Sequence, residues 1–108
     1  MSTEDVLIRL SETLASRRSA DPETSYTAKL FAKGPDSILK KIGEECAELI
    51  MAAKDGERQN IVYESADVLY HVLALLAFYN IGAEDLLNEL QRREGTSGIV
   101  EKKSRTAK

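Results

Sequence analysis

The segment from about Gln59 to Asn80 reads as one long helix, and that helix has almost no polar side. At about 100° per residue, Leu69, Leu73 and Leu76 cover one side and Val68, Val72, Leu75 and Tyr79 another. Tyr63, Tyr70, Ala74 and Ala77 cover much of the rest. A helix apolar nearly all round must be buried nearly all round. The chain has 108 residues, enough for one domain with one modest core, and therefore few other helices to surround this one. A second copy of the chain is the simplest cover. The expectation is a homodimer about a two-fold axis.

The remaining segments are also helical. Val6, Leu10 and Leu14 recur every four residues within 3–16, with Ser2 or Thr3 available as a cap. Pro22 and small polar residues then break the pattern, and a short helix is expected around Thr27–Ala32, stopped by Gly34-Pro35. Asp36 or Ser37 is expected to cap a helix running to about Lys54, followed by a turn at Asp55-Gly56. Gly82 is expected to end the long helix, and Ala83–Arg93 forms another that stops at Gly95. No run alternates with period two long enough to make a strand. The organisation expected is one all-α domain at 1–95, a bundle of four to five helices, and a basic tail at 96–108 hinged on Gly and Ser.

Composition narrows the function. The formal charge of −3 lacks the basic excess that nucleic-acid binding requires. The longest apolar run, Val68 to Tyr79, falls short of the roughly 20 residues that span a bilayer. The acidic start "MSTEDVLIRL" does not resemble a signal peptide, so a soluble, cytoplasmic protein with neither nucleic-acid nor membrane partners is expected. The single cysteine, Cys46, excludes an intramolecular disulfide and a cysteine-based zinc site.

Two acidic groups interrupt this apolar pattern. "KKIGEECAELI" holds Glu44, Glu45 and Glu48. With Glu44 at zero on its helix, Glu48 falls near 40°, Lys41 near 60° and Glu45 near 100° (roughly, at 3.6 residues per turn), a stripe that borders the apolar face. On the long helix Asn60, Glu64, Asp67 and His71 share an arc of about 60°. Acids on a greasy helix are costly unless paired or bound to metal. Adjacent antiparallel helices joined by a short turn would bring the two stripes face to face. A solvated face paired to Lys40 and Lys41 accounts for the first group alone, and buried Arg or Lys partners for the second. Two facing sets favour a cation site. Its ligands would be all oxygen, which suits Mg²⁺ or Mn²⁺; a di-iron bundle would need Glu-x-x-His on two helices, and His71 is the only histidine.

"EECAE" followed by "ESAD" resembles the EExxE…ExxD signature of the all-α, MazG-like nucleotide pyrophosphohydrolases. With "SYTAKLFAKG", "ESADVLYHVL" and the terminal "SGIVEKKSR", the chain is similar over about residues 1–105 to the phosphoribosyl-ATP pyrophosphatase family of histidine biosynthesis. Cys46 departs from the family's usual small residue, and Val100 stands where an acid is frequent. The resemblance implies a stand-alone enzyme, since these 108 residues hold no cyclohydrolase domain, with which the activity is fused in some organisms.

The resemblance implies hydrolysis of 1-(5-phosphoribosyl)-ATP to the AMP form and pyrophosphate, requiring Mg²⁺. It implies Glu45, Glu48, Glu64 and Asp67 as metal ligands, with Glu44 completing the shell or taking a proton from water; the choice between Glu44 and Glu45 stays open. Lys41 is either a phosphate contact or an ordinary partner of Glu45, and Lys33 and Lys40 are weaker candidates of the same kind. Ser97, Lys102 and Arg105 are expected to hold substrate phosphates, and Tyr26 and Lys29 to approach the nucleotide. His71 reads as a hydrogen-bonded core histidine and Cys46 as packing. Two alternatives remain: a housecleaning enzyme acting on free (deoxy)nucleoside triphosphates, and a non-catalytic helical metal-binding dimer.

Overall fold

A computed structural model describes residues 2–95 and 97–106, and the described residues are all helix, turn and loop. Six α-helices follow in order: α1 (Val6–Ser16), α2 (Tyr26–Lys33), α3 (Pro35–Asp55), α4 (Arg58–Phe78), α5 (Ala83–Arg93) and α6 (Gly98–Thr106). Single 3₁₀ turns at Thr3–Asp5 and Arg17–Ser19 flank α1. Ser2 does cap the first of these, its hydroxyl accepting from the Glu4 N–H.

Two boundaries differ from the sequence reading. The N-cap of α3 is Gly34, with φ of 93°, and neither Asp36 nor Ser37 caps it. Pro35 occupies the first turn, where its fixed φ suits a helix and its missing N–H costs nothing, so Asp36 falls inside that turn and complements the helix dipole. At the other end of the hairpin, α4 closes before Gly82. Asn80 takes the left-handed conformation (φ 62°). The Ile81 N–H then bonds the Leu76 carbonyl at 2.8 Å and the Asn80 N–H bonds that of Ala77 at 3.0 Å, the paired closure of a Schellman motif. Gly82 begins α5 instead.

Gly82 has no side chain with which to cap α5, and α1 supplies one. The buried Ser11 hydroxyl accepts from the Ala83 N–H at 2.9 Å, 72 residues along the chain. Ser11→Ala leaves that buried N–H without a partner, and the expected loss is about 1–2 kcal/mol, read as a lowered midpoint in thermal or urea unfolding.

The core collects apolar residues from five helices: Leu14 (α1), Leu30 and Phe31 (α2), Ile38 (α3), Leu73, Ala74 and Ala77 (α4) and Ala83 (α5). It sits against the first turns of α3 and the last turns of α4, which pack antiparallel along their lengths. Among the described residues, α4 is the one helix long and apolar enough, by length and composition, to cross a bilayer. It carries Glu64 and Asp67 and packs against α1 and α3, as the central helix of a bundle does.

The far end of the α3–α4 hairpin is different. Ile50, Met51, Val62 and Tyr63 are each 57–64% exposed around its turn. Within one chain, therefore, α4 is not covered all round. The tail differs in another way from a loose segment: residues 98–106 form a helix that Ser97 caps, its hydroxyl accepting from the Val100 N–H. Thr96 and the last two tail residues lie outside the described residues.

Candidate metal centre

The acidic site lies midway along the hairpin, between the core and its apolar tip. Gly56, left-handed at φ of 78°, ends α3, and Glu57 caps α4 by accepting from the Gln59 and Asn60 N–H groups. This tight turn fixes the antiparallel register, so that the middle of α3 faces the first half of α4.

Glu45 and Glu48 from α3 and Glu64 from α4 each offer a carboxylate oxygen, and these oxygens lie within 4.8 Å of one another. Glu45 is buried and Glu64 partly so, whereas Glu48 opens to solvent. One oxygen each of Glu45 and Glu64 is buried with no hydrogen-bond partner. A buried carboxylate oxygen left unpaired is costly, and a second carboxylate beside it makes the site more unfavourable still. A divalent cation removes both costs. Six-coordinate Mg²⁺ takes oxygens at about 2.0–2.1 Å, hence about 3–4 Å from each other, so these three need only small side-chain movements. The residues fit a hard cation.

Of the four ligands expected from the sequence, the structure brings three into this group. Asp67 follows Glu64 by three residues on α4, partly buried but outside the 4.8 Å cluster; its backbone carbonyl accepts from His71 Nδ1 at 2.8 Å. Glu44 stays at the rim, its side chain 47% exposed. Lys41 reaches both neighbouring acids, with its ammonium 3.5 Å from Glu45 and 3.8 Å from Glu44. Its pKa is raised, first by Tyr26, then by the hydrogen bond and charge of Glu45 and by Glu44, against a partial loss of hydration.

The other basic candidates are exposed on their helices. Lys33 is exposed in the last turn of α2 and Lys40 is exposed on α3. Lys102 and Arg105 are exposed on α6. His71 is buried and bonded at both ring nitrogens, to the Tyr26 hydroxyl and to the Asp67 carbonyl, as a core histidine should be. The Tyr26–His71 bond was not legible in the sequence. The two residues are 45 apart, and only the packing of α2 on α4 joins them.

Comparison with known proteins identifies the family. The family model described as phosphoribosyl-ATP pyrophosphohydrolase matches residues 7–94, which includes all of the acidic hairpin. A phosphoribosyl-ATP pyrophosphatase of Dechloromonas aromatica is 75% identical over 108 residues, the whole of both chains. One from Bordetella avium is 58% identical over 95% of this chain and 91% of its own. One from Geobacter sulfurreducens is 55% identical over 94% of each. With likeness along its full length and the carboxylates assembled in one hairpin, the chain belongs to the phosphoribosyl-ATP pyrophosphohydrolase family.

Proposed function

We propose that the chain hydrolyses 1-(5-phosphoribosyl)-ATP to 1-(5-phosphoribosyl)-AMP and pyrophosphate, in the cytoplasm and as a step of histidine biosynthesis. The observation that carries the reading is the full-length identity to enzymes bearing that name. Mg²⁺ is the metal, with Mn²⁺ able to replace it. Glu45, Glu48 and Glu64 hold it, and Asp67 joins them by a side-chain rotation from the next turn of α4.

A triphosphate and this acidic pocket repel each other; a cation held by Glu45, Glu48 and Glu64 would offset that repulsion and supply charge stabilisation to the phosphates. The protein's own groups do the rest. Glu44 is solvent-exposed at the rim and able to take a proton from an incoming water, which favours it over the buried Glu45 as general base. Water adds at phosphorus, the α–β anhydride bond breaks, and pyrophosphate leaves. Lys41 meets the phosphates from the same rim. Lys33, Lys40, Lys102 and Arg105 are further phosphate contacts, and Ser97 acts by capping the helix that carries the last two.

The test is pyrophosphate release by the purified protein from phosphoribosyl-ATP, beside ATP and dCTP, with Mg²⁺ and with EDTA. Magnesium-dependent release from phosphoribosyl-ATP alone is expected. Release from ATP or dCTP instead would assign a housecleaning role, and release from none would leave only a metal-binding module.

The functional unit is a homodimer. The tip residues Ile50, Met51, Val62 and Tyr63 form an exposed apolar patch on the same hairpin as the acids, and burying such a patch favours association. Sedimentation equilibrium of the 12.0 kDa chain should return twice that mass, and Ile50→Glu with Tyr63→Glu should shift it towards one chain. A wild-type monomer at micromolar concentration would refute the dimer.

A further inference from the structure

The chain itself supplies one positive charge to the acidic site. The Lys41 ammonium stands 3.5 Å from Oε1 of Glu45 and 3.8 Å from Oε2 of Glu44. Oε2 of Glu45 is buried and has no hydrogen-bond partner, and the whole side chain is 7% exposed. Glu45 is thus half satisfied: an ammonium meets one oxygen, and the other waits for a cation.

The ion pair is loose. Its 3.5 Å separation is long beside the roughly 2.7–2.9 Å of a tight charge-assisted hydrogen bond. Lys41 also precedes Glu45 by four residues, the weaker of the two orientations on a helix, where such a pair shifts an equilibrium by only about twofold. The lysine side chain keeps 36% of its surface exposed, so it recovers hydration easily when it lets go. A single ammonium leaves much of the repulsion among Glu45, Glu48 and Glu64 in place, since their oxygens lie within 4.8 Å of one another. A divalent cation carries twice the charge and bonds the oxygens directly. In competition for Glu45, the ammonium loses.

Resting on the reading that Glu45 is a metal ligand, we propose that Lys41 is the counter-ion of the metal-free site and is exchanged for the divalent cation. In the metal-free chain Lys41 neutralises Glu45. On loading, it gives up that carboxylate and faces a like charge, so it stays at the rim beside the exposed Glu44 with its own charge open to a phosphate. The exchange orders the two ligands, metal first and polyphosphate second. It also gives one side chain effects of opposite sign: Lys41 opposes the ion and favours the phosphate.

The test compares the full-length wild type with Lys41→Met, which keeps an unbranched apolar stem and removes the charge. In titration calorimetry Mn²⁺ should bind Lys41→Met about fivefold more tightly than wild type, the scale of one screened unit charge acting on a divalent ion across a few ångströms. Pyrophosphate should bind the Mn²⁺-saturated variant about tenfold more weakly, the scale of one hydrogen bond to a charged group. Lys41→Arg restores the charge and should return the Mn²⁺ affinity to within about twofold of wild type. Lys40→Met removes an exposed charge from the neighbouring position and should change that affinity less than about twofold, because screening weakens the more distant charge. A double-mutant cycle in EDTA isolates the pair. Lys41→Met should lower the melting temperature of the wild type by about 2–4 °C and leave that of Glu45→Gln unmoved.

An unchanged Mn²⁺ affinity in Lys41→Met would overturn the proposal. So would a loss of affinity for both ligands together, the signature of damage to the hairpin. An equal drop in melting temperature with and without the Glu45 charge would overturn it as well, by separating Lys41 from that carboxylate. A wild type that bound no Mn²⁺ would sink the metal centre itself, an outcome distinct from a metal site that ignores Lys41.

Discussion

Glu45→Gln is expected to lower magnesium-dependent pyrophosphate release about 10³-fold while leaving the metal-free protein as stable as the wild type or more so. The two effects have one origin. Glu45 is buried, with one oxygen unpartnered and the other only 3.5 Å from the Lys41 ammonium. Its charge also repels Glu48 and Glu64, whose oxygens lie within the same 4.8 Å group. Without a cation this arrangement destabilises the fold, and an amide of the same shape relieves it, by about 1–2 kcal/mol. With a cation bound, the same charge would serve as a ligand. Its loss removes several kcal/mol of transition-state stabilisation, and about 4 kcal/mol corresponds to the 10³ stated. Thermal unfolding separates the two. In EDTA the variant should melt at or above the wild type, whereas saturating Mg²⁺ should raise the wild-type melting temperature and leave the variant nearly unmoved. A variant retaining a tenth of wild-type turnover, or one still stabilised by Mg²⁺, would exclude Glu45 as a ligand.

The sequence made the helices legible because their signals are local. Apolar spacing located α1 to α5 within a few residues, and Ala83–Arg93 agrees at both ends. The spacing is ambiguous where two punctuation signals compete. Gly34-Pro35 signals a stop for α2, yet the same pair starts α3, since proline suits the first turn. Asn80 did the work assigned to Gly82, because asparagine also tolerates the left-handed conformation. In the tail, Ser97 caps the helix Gly98–Thr106, a start signal that its Gly-Ser hinge does not announce.

The acidic site was partly legible for the same reason. Spacing of i, i+3 puts Glu45 with Glu48, and one short turn brings Glu64 opposite them. What spacing could not supply was the rotamer of Asp67, the exposure of Glu44 or the bond from Tyr26 to His71. Those depend on packing between helices. The homodimer was inferred from an unbroken apolar α4, and the exposed Val62 and Tyr63 on its first turns leave that helix uncovered in a single chain.

Leu73→Ala tests how the core holds the acidic hairpin. Leu73 is 1% exposed and belongs to the one cluster that joins α1, α2, α3, α4 and α5. Truncation removes buried methyl groups and opens a cavity that Leu14, Ile38 and Phe31 cannot readily fill, because each is itself buried in that cluster. The expected loss is about 3 kcal/mol, and for a domain of this size each kcal/mol lowers the melting temperature by about 4–8 °C. Denaturant unfolding should show the midpoint fall with its slope unchanged. The carboxylates of Glu64 and Glu45 lie towards the tip from this position, outside the core cluster. At temperatures where the variant remains folded, its Mg²⁺ affinity and KM should therefore stay within about twofold of wild type, since distant sites without shared partners act independently. Loss of Mg²⁺ affinity in a fully folded Leu73→Ala would show instead that core packing sets the spacing of the carboxylates.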